Sequence, residues 1–348
     1  MEFFYAAFKS MGIFAGWPQP LLQGMAMLTI AVIILAGVAV AVMIFSLAER
    51  KVAGFMQSRY GPMYVGHWHG ILQPIADGIK FLLKEDIAPA SADKILWRAA
   101  PVVCFTGAFL TFVVLPFGPS FVGAKLDVGL FYAFATSSLV VIGIIMAGWG
   151  SNNKWALYGA MRGAAQVVSY EIPLALAVIP VVMTTGSLNL GVITQAQSGW
   201  IWQWHVFHPL LLLSFVIYLI ASLAEVNRIP FDLPESESEL VAGYHTEYTG
   251  MKFAFFMLGE YADMFAVAAI AVAVFLGGWN SGVPALDRVI PAPVIFVGKS
   301  VLVVFLQMWL RWTLPRLRVD QLMSVCWKVL LPIVLVLLLV FGLLKVLF

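Results

Sequence analysis

Eight apolar runs of near-spanning length recur along this chain. They cover residues 21–47, 98–118, 129–149, 162–185, 208–225, 252–277, 292–312 and 325–347. A helix needs about 20 predominantly apolar residues to cross a bilayer. Inside lipid every backbone N–H and C=O must find a partner within the protein, which leaves helices and closed barrels as the options. Runs of this length and without alternation predict an all-α integral membrane protein. The expectation is a single polytopic domain over 1–348 with eight transmembrane helices. Composition agrees: 62% of residues are hydrophobic and 11% charged, against about 25% charged in a soluble domain. No internal repeat is visible, which weighs against transporter folds built from inverted repeats.

Several function classes fall away early. A net charge of +2 with no basic tract does not suit a nucleic-acid partner. Cys104 and Cys326 are the only cysteines, and two isolated thiols cannot hold an iron–sulfur cluster or a structural zinc, so no metal is expected here. None of the five histidines (His67, His69, His205, His208, His245) falls in mid-span, against a haem held between helices. No glycine-rich phosphate loop is present. The first 20 residues lack a basic stretch ahead of a cleavable apolar core, so the first run is expected to stay as a helix.

Orientation follows from the cations in the loops. The first, third, fifth and seventh connections, with their helix edges, hold Arg50, Lys51, Arg59, Lys80, Lys84, Lys94, Arg98, Lys154, Arg162, Arg228, Lys252, Arg311, Arg316, Arg318 and Lys328. Lys9, Lys125, Arg288 and Lys345 lie near the other face, with Lys299 just inside a helix. The odd-numbered loops are therefore expected in the cytoplasm or matrix, with both termini opposite. Within the first of them, HWHGILQPIADGIKFLLKED (67–86) repeats Ile71, Ile75, Ile79 and Leu82 or Leu83 at helical spacing. That pattern predicts an amphipathic helix lying in the interface plane or under a partner subunit, with Pro74 in its first turn.

The acids are unevenly placed. Between Glu225 and Gly250 stand Glu225, Asp232, Glu235, Glu237, Glu239 and Glu247, a third of the 18 carboxylates of the chain. NRIPFDLPESESEL carries two prolines and should begin as irregular backbone, which near lipid must be buried in protein or line a wet cavity. Its interleaved Ile229, Phe231, Leu233, Leu240 and Val241 argue against a solvated acidic loop. Buried acids hold protons near neutral pH. Glu171 sits about nine residues into the fourth run, on the order of 15 Å deep. An ionisable group there costs at least about 2.5–3.5 kcal/mol, which marks a functional candidate. Pro173 frees the carbonyl of Ser169, a place for water beside that acid. Arg162, Gln166 and Tyr170 form a polar stripe at four-residue spacing, and a Glu–Arg or Glu–Tyr contact is the structural alternative. Glu260 and Asp263 are three apart and share a face of the sixth run, unless Tyr261 and Lys252 supply simple partners.

Two inner loops carry long, specific motifs. AERKVAGFMQSRYGPMYVG (48–66) with LQPIADGIKFLLKE (72–85) is one, and EVNRIPFDLPESESELVAGYHTEYTGMKFAFFMLGEY (225–261) is the other. With RGAAQVVSYE (162–171) and PRLRVDQLM (315–323), they resemble the quinone-chamber membrane subunit of respiratory complex I, the NADH:quinone oxidoreductase. That subunit is called H in bacteria and NADH dehydrogenase subunit 1 in mitochondria. The resemblance covers nearly the whole chain.

The resemblance implies eight helices and a chamber for ubiquinone or menaquinone, with Arg50, Arg59, Phe231, Asp232, Glu235, Phe256 and Met257 around it. Phe256 and Met257 would face the isoprenoid tail. It implies a proton path along Glu171, Glu225, Asp232, Glu235, Glu237, Glu247 and Glu260, to which the residue reading adds Arg162, Tyr170 and Asp263. Asp263 departs from the family pattern. Quinone is the implied substrate, and the chain itself carries no redox centre. Fe–S clusters and FMN belong to partners: the terminal Fe–S subunit and the quinone-site subunit of the peripheral arm, with small membrane subunits and antiporter-like subunits alongside. A bacterial inner membrane, with both termini periplasmic, suits the chain better than a mitochondrial one. The alternatives are the homologous subunit of a membrane-bound hydrogenase-type complex, a stand-alone ion-coupled transporter, and a structural anchor for a soluble arm.

Overall fold

The computed structural model describes residues 18–347, and the backbone alone of Glu237 and Ser238. Lys9 lies outside the described residues. Every regular element among the described residues is helical. In chain order they are α1 (Gln19–Met56), α2 (Gln73–Leu83), α3 (Lys94–Thr111), α4 (Gly129–Gly150), α5 (Lys154–Thr185), α6 (Leu190–Ala196), α7 (Pro209–Glu225), α8 (Gly250–Phe275), α9 (Ala292–Thr313) and α10 (Val319–Leu347). Single turns at Glu237–Leu240, Gly243–His245 and Pro284–Asp287 stand between them. Six helices are long and apolar enough to cross a membrane: α1, α4, α5, α8, α9 and α10. The shorter α3 and α7 coincide with the two remaining apolar runs.

Some boundaries differ from the apolar runs, for local reasons. α1 continues nine residues past the expected end at 47, carrying Glu49 and Arg50 on a helix of 38 residues. At ~1.5 Å per residue that is about 57 Å, well beyond the ~30 Å hydrocarbon core. Ala48, Glu49, Arg50 and Lys51 are good helix formers, so polarity alone did not end the helix. α5 begins at Lys154, not at 162, because Asn153 caps it by accepting the Trp155 amide at 2.9 Å. α3 stops at Thr111, short of 118. Pro116 lacks an amide and pushes Leu115 out of the helical region. The chain then folds on itself, with the Ala124 amide donating to Val113 O at 2.8 Å.

α8 is the central helix. Its run of Ala262, Ala266, Ala268, Ala269, Ala271 and Ala273 is buried, and it packs against α1, α3, α7 and α9. Small side chains let the surrounding helices approach closely where lipid gives no hydrophobic drive. Lys299 of α9 donates Nζ to Leu276 O, which caps α8, and to Asn280 O in the loop that follows, at 2.5 Å each, a cation set at the C-terminal end of α8.

Pro173 frees the Ser169 carbonyl, as its missing amide requires. The place is not left to water: the Cys326 thiol donates to Ser169 O at 3.1 Å. A π-turn at Val325–Leu330 puts Cys326 there, inside α10. Tyr170 points the same way, and its hydroxyl donates to Leu322 O at 2.9 Å. The fifth and last long helices are thus joined by side-chain bonds to backbone.

The acidic segment between α7 and α8 is irregular and folded inward. Gly159 and Gly163, four apart on α5, make the groove that receives it. A Cβ at Gly159 would lie 2.8 Å from Gly243 Cα, and one at Gly163 would lie 3.0 Å from Pro234 Cγ. Gly243 adopts φ +55, and a Cβ there would run into the Pro234 carbonyl. Gln166, also on α5, donates Nε2 to Ala224 O at 2.7 Å, Asn227 Oδ1 at 3.0 Å and Phe231 O at 2.6 Å. One amide therefore fixes the start of the loop.

Candidate functional site

The deepest charges meet where α1, α8, α9 and the acidic loop converge. Glu49, near the C-terminal end of α1, is 4% exposed, as is Arg228. Arg228 donates Nη1 to both carboxylate oxygens of Glu49, at 3.1 and 3.2 Å. Arg311 of α9 donates to the same carboxylate, and Tyr261 of α8 donates its hydroxyl at 2.6 Å. The Arg228 guanidinium stacks 4.5 Å above the Tyr261 ring. Two guanidiniums face one carboxylate, so the cluster is net positive. Nε and Nη2 of Arg228 have no partner among the described residues.

A second cluster lies in the loop itself. Asp232 pairs with Arg316 at 2.9 Å. Burial pushes the Asp232 carboxyl up to about 6, and the Arg316 guanidinium pulls against that rise. Tyr244 donates its hydroxyl to Glu260 Oε1 at 3.0 Å and lies 3.5 Å from Glu235 Oε1. The imidazole of His245 stands between the same two acids, with Nδ1 3.3 Å from Glu235 and Nε2 3.9 Å from Glu260. Burial raises Glu235 above the ordinary carboxylate range and holds His245 down to about 4. Tyr244 and His245 thus bring the carboxyl groups of Glu235 and Glu260 to one place.

From Glu260 the acids continue inward. Glu225, Glu260 and Asp263 line one small cavity together with Cys104, Tyr244 and Phe256. It has room for about one water molecule. Glu171, midway along α5, lies near enough to Glu225 to act on it electrostatically. Buried oxygens of Glu171, Glu225 and Asp232 have no protein partner among the described residues. Glu260 thus links the Glu235 cluster to the cavity it shares with Asp263 and Glu225.

Other residues singled out in the sequence stand aside from these acids. Glu247 accepts from Asn153 Nδ2 at 2.6 Å. Arg162 pairs with Glu239 at 2.5 Å and not with Glu171. Tyr170 is committed to Leu322, as above. The side chain of Glu237 lies outside the described residues. Neither expected partner of the Glu260–Asp263 pair serves it: Tyr261 holds Glu49, and Lys252 pairs with Asp86 at 2.6 Å. Arg50 pairs with Asp77 of α2 at 2.6 Å, and Arg59 is exposed, with Nε donating to Gln57 Oε1 at 2.7 Å. Phe231 is buried against Tyr170, ring centroids 5.4 Å apart. Met257 is half-buried against the main core. Phe256 is 2% exposed, within a cluster of Tyr244, His245 and Tyr248. It faces that cluster and not an open tail-binding surface.

Sequence reasoning passed over Glu49, Tyr244, His245, Asp77 and the role of Arg311. Glu49 had a readable signal, an acid closing an apolar run in LAERK. His245 had none, since its neighbours are assembled only by the fold.

The family model described as NADH dehydrogenase matches residues 28–342. The chain belongs to the NADH dehydrogenase family. Relatives agree over most of their length. In Chlorobium luteolum, the NADH-quinone oxidoreductase subunit designated H is 58% identical over 299 residues, 82% of this chain and 79% of the relative. The protein of that name from a Geobacillus species is 52% identical over 303 residues, 87% of this chain and 89% of the relative. That from Anaeromyxobacter dehalogenans is 44% identical over 350 residues, 94% of this chain and 84% of the relative. The resemblance read from the inner-loop motifs of this NADH dehydrogenase family member is borne out. The hydrogenase-type and transporter alternatives are not favoured.

Proposed function

We propose that this chain is the membrane subunit of a proton-translocating NADH:quinone oxidoreductase. It helps enclose the quinone and carries the consequence of quinone reduction into the membrane through its buried acids. One observation carries the second half of this reading: Glu225, Glu260 and Asp263 line one water-sized cavity, and Glu260 adjoins Glu235 at Tyr244 and His245.

The physical reasoning is short. Reducing a quinone changes local charge by one or two units and then calls for protons. At an effective dielectric of ~20, a charge 4 Å away shifts a carboxylate by ~4 kcal/mol, about three pKa units. At 12 Å the same law leaves about one unit. A single charge therefore resets its neighbour but not a distant subunit, so the change must pass from acid to acid. Glu235 and Glu260 meet at Tyr244 and His245, and the cavity beyond them admits water.

In this reading all eight apolar helices cross the bilayer, with the odd-numbered loops and the acidic segment on the cytoplasmic side and both termini periplasmic. α2 lies in the interface, its Ile75, Ile79, Leu82 and Leu83 turned outward. Arg50, Arg59, Phe231, Asp232, Glu235 and Met257 border the quinone chamber, and Phe256 backs it from inside the aromatic cluster. Glu237, Glu247, Arg162 and Tyr170 frame the path. FMN and Fe–S clusters sit in peripheral-arm partners, and antiporter-like subunits receive the relay. The membrane is a bacterial inner membrane.

The test is Glu260→Gln and Glu225→Gln, each in the assembled enzyme. Expected is a loss of at least about tenfold in proton transfer per electron pair or in coupled quinone reduction. Wild-type electron transfer together with wild-type pumping in both variants refutes the relay.

A further inference from the structure

We propose that Glu235, His245 and Glu260 form a binding site for a divalent transition-metal cation of the zinc type. Three elements supply the ligands: the loop before the Glu237–Leu240 turn, the Gly243–His245 turn, and α8. One ligand atom from each lies within 4.8 Å of the others. A tetrahedral zinc site with bonds of ~2.0–2.1 Å sets its ligand atoms about 3.3–3.4 Å apart. The two carboxylates approach different ring nitrogens, Nδ1 to Glu235 at 3.3 Å and Nε2 to Glu260 at 3.9 Å, so one nitrogen takes the ion and the ligand atoms, now within 4.8 Å, close in around it.

The imidazole is prepared for such a role. It is buried, and Nε2 has no hydrogen-bond partner among the described residues. Ring contacts with Tyr244 at 3.9 Å, Phe256 at 5.1 Å and Phe253 at 5.3 Å hold it in place. The Tyr244 hydroxyl donates to Glu260 and orients that carboxylate from outside the ligand set. A cation entering between Glu235 and Glu260 satisfies both carboxylates. Mixed imidazole and carboxylate donors select zinc-type ions over Ca2+ or Mg2+, which take six or more oxygens. The Glu235 side chain is 24% exposed and offers the way in.

An ion at this place ties the acidic loop to α8 and takes two acids out of proton exchange. The site stands on its own geometry. The inhibition it causes rests on the relay proposed above.

The experiment uses the whole assembled complex, freed of loosely held metal with a chelator. Zn2+ binding is counted by equilibrium dialysis, and Co2+ in its place reports tetrahedral coordination by its visible absorption. His245→Asn and Glu235→Gln are compared with the unaltered enzyme. Expected is the loss of one bound zinc per complex, or affinity reduced by more than the about 10–100-fold that outer-shell partners contribute. Either variant suffices should the other fail to assemble. Equal zinc stoichiometry and affinity in the unaltered enzyme and both variants overturns the site. Zinc bound at the triad with undiminished coupled quinone reduction supports the site and sinks the relay.

Discussion

Replacing Glu49 by glutamine tests the buried cluster most directly. The change keeps the shape and an acceptor for the Tyr261 hydroxyl, but it removes the one negative charge between Arg228 and Arg311. Arg228 is 4% exposed, so its guanidinium is left without a counter-ion in a site that water does not reach. Removing one partner of a buried ion pair costs about 3–5 kcal/mol. Arg311, with a side chain 24% exposed, adds little because solvent screens it. We therefore expect Glu49→Gln to cost about 3–5 kcal/mol, set almost wholly by Arg228. The cost should appear as less assembled complex in the membrane and faster thermal inactivation of quinone reductase activity. Glu49→Gln with Arg228→Gln removes the stranded charge and should recover most of the loss. The reasoning fails if Glu49→Gln inactivates at the wild-type rate. It fails equally if the two losses simply add in the double variant, since coupled partners must not be additive.

Two further outcomes follow from single contacts. Cys326→Val leaves the Ser169 carbonyl buried without a donor, and we expect a loss of about 1–3 kcal/mol. Cys326→Ser should restore the bond, so comparing thermal inactivation of the two variants separates hydrogen bonding from packing. Asp232 should titrate near 6, above its ordinary 3.8. The folded protein binds that proton more tightly than the unfolded chain does. This group therefore lowers stability as pH rises from about 4 towards 6, and its penalty is constant above that. Infrared titration of the carboxyl band, with Asp232→Asn as the blank, should show the midpoint near 6 and Arg316→Gln should move it upward. A midpoint in the ordinary range near 4 refutes the assignment.

Much of the site was legible from residue type and position. Asp232, Glu235, Glu260 and Glu225 stood out because acids in apolar surroundings are costly, and the fold does bring them together. Glu171 joins them through Glu225. Glu247 and Arg162 shared the same signature but are tied to Asn153 and Glu239 away from them. Composition cannot separate the two groups, because the difference lies in which neighbour fills the hydrogen bond. The Ser169 carbonyl makes the same point. Pro173 announces that it is free, but only the π-turn of α10 shows that a thiol takes it.

The apolar runs alone located the long helices, but not the ends of α1, α3 and α5. Lipid acts on each run separately, and twenty apolar residues in a row answer to that solvent whatever the rest of the chain does. The pairing of charges had to wait for the tertiary structure. Glu49 meets Arg228 across 179 residues of sequence and Arg311 across 262. Contacts of that kind depend on shifts of an ångström between packed helices. Hydropathy, which sums along the chain, carries no trace of them.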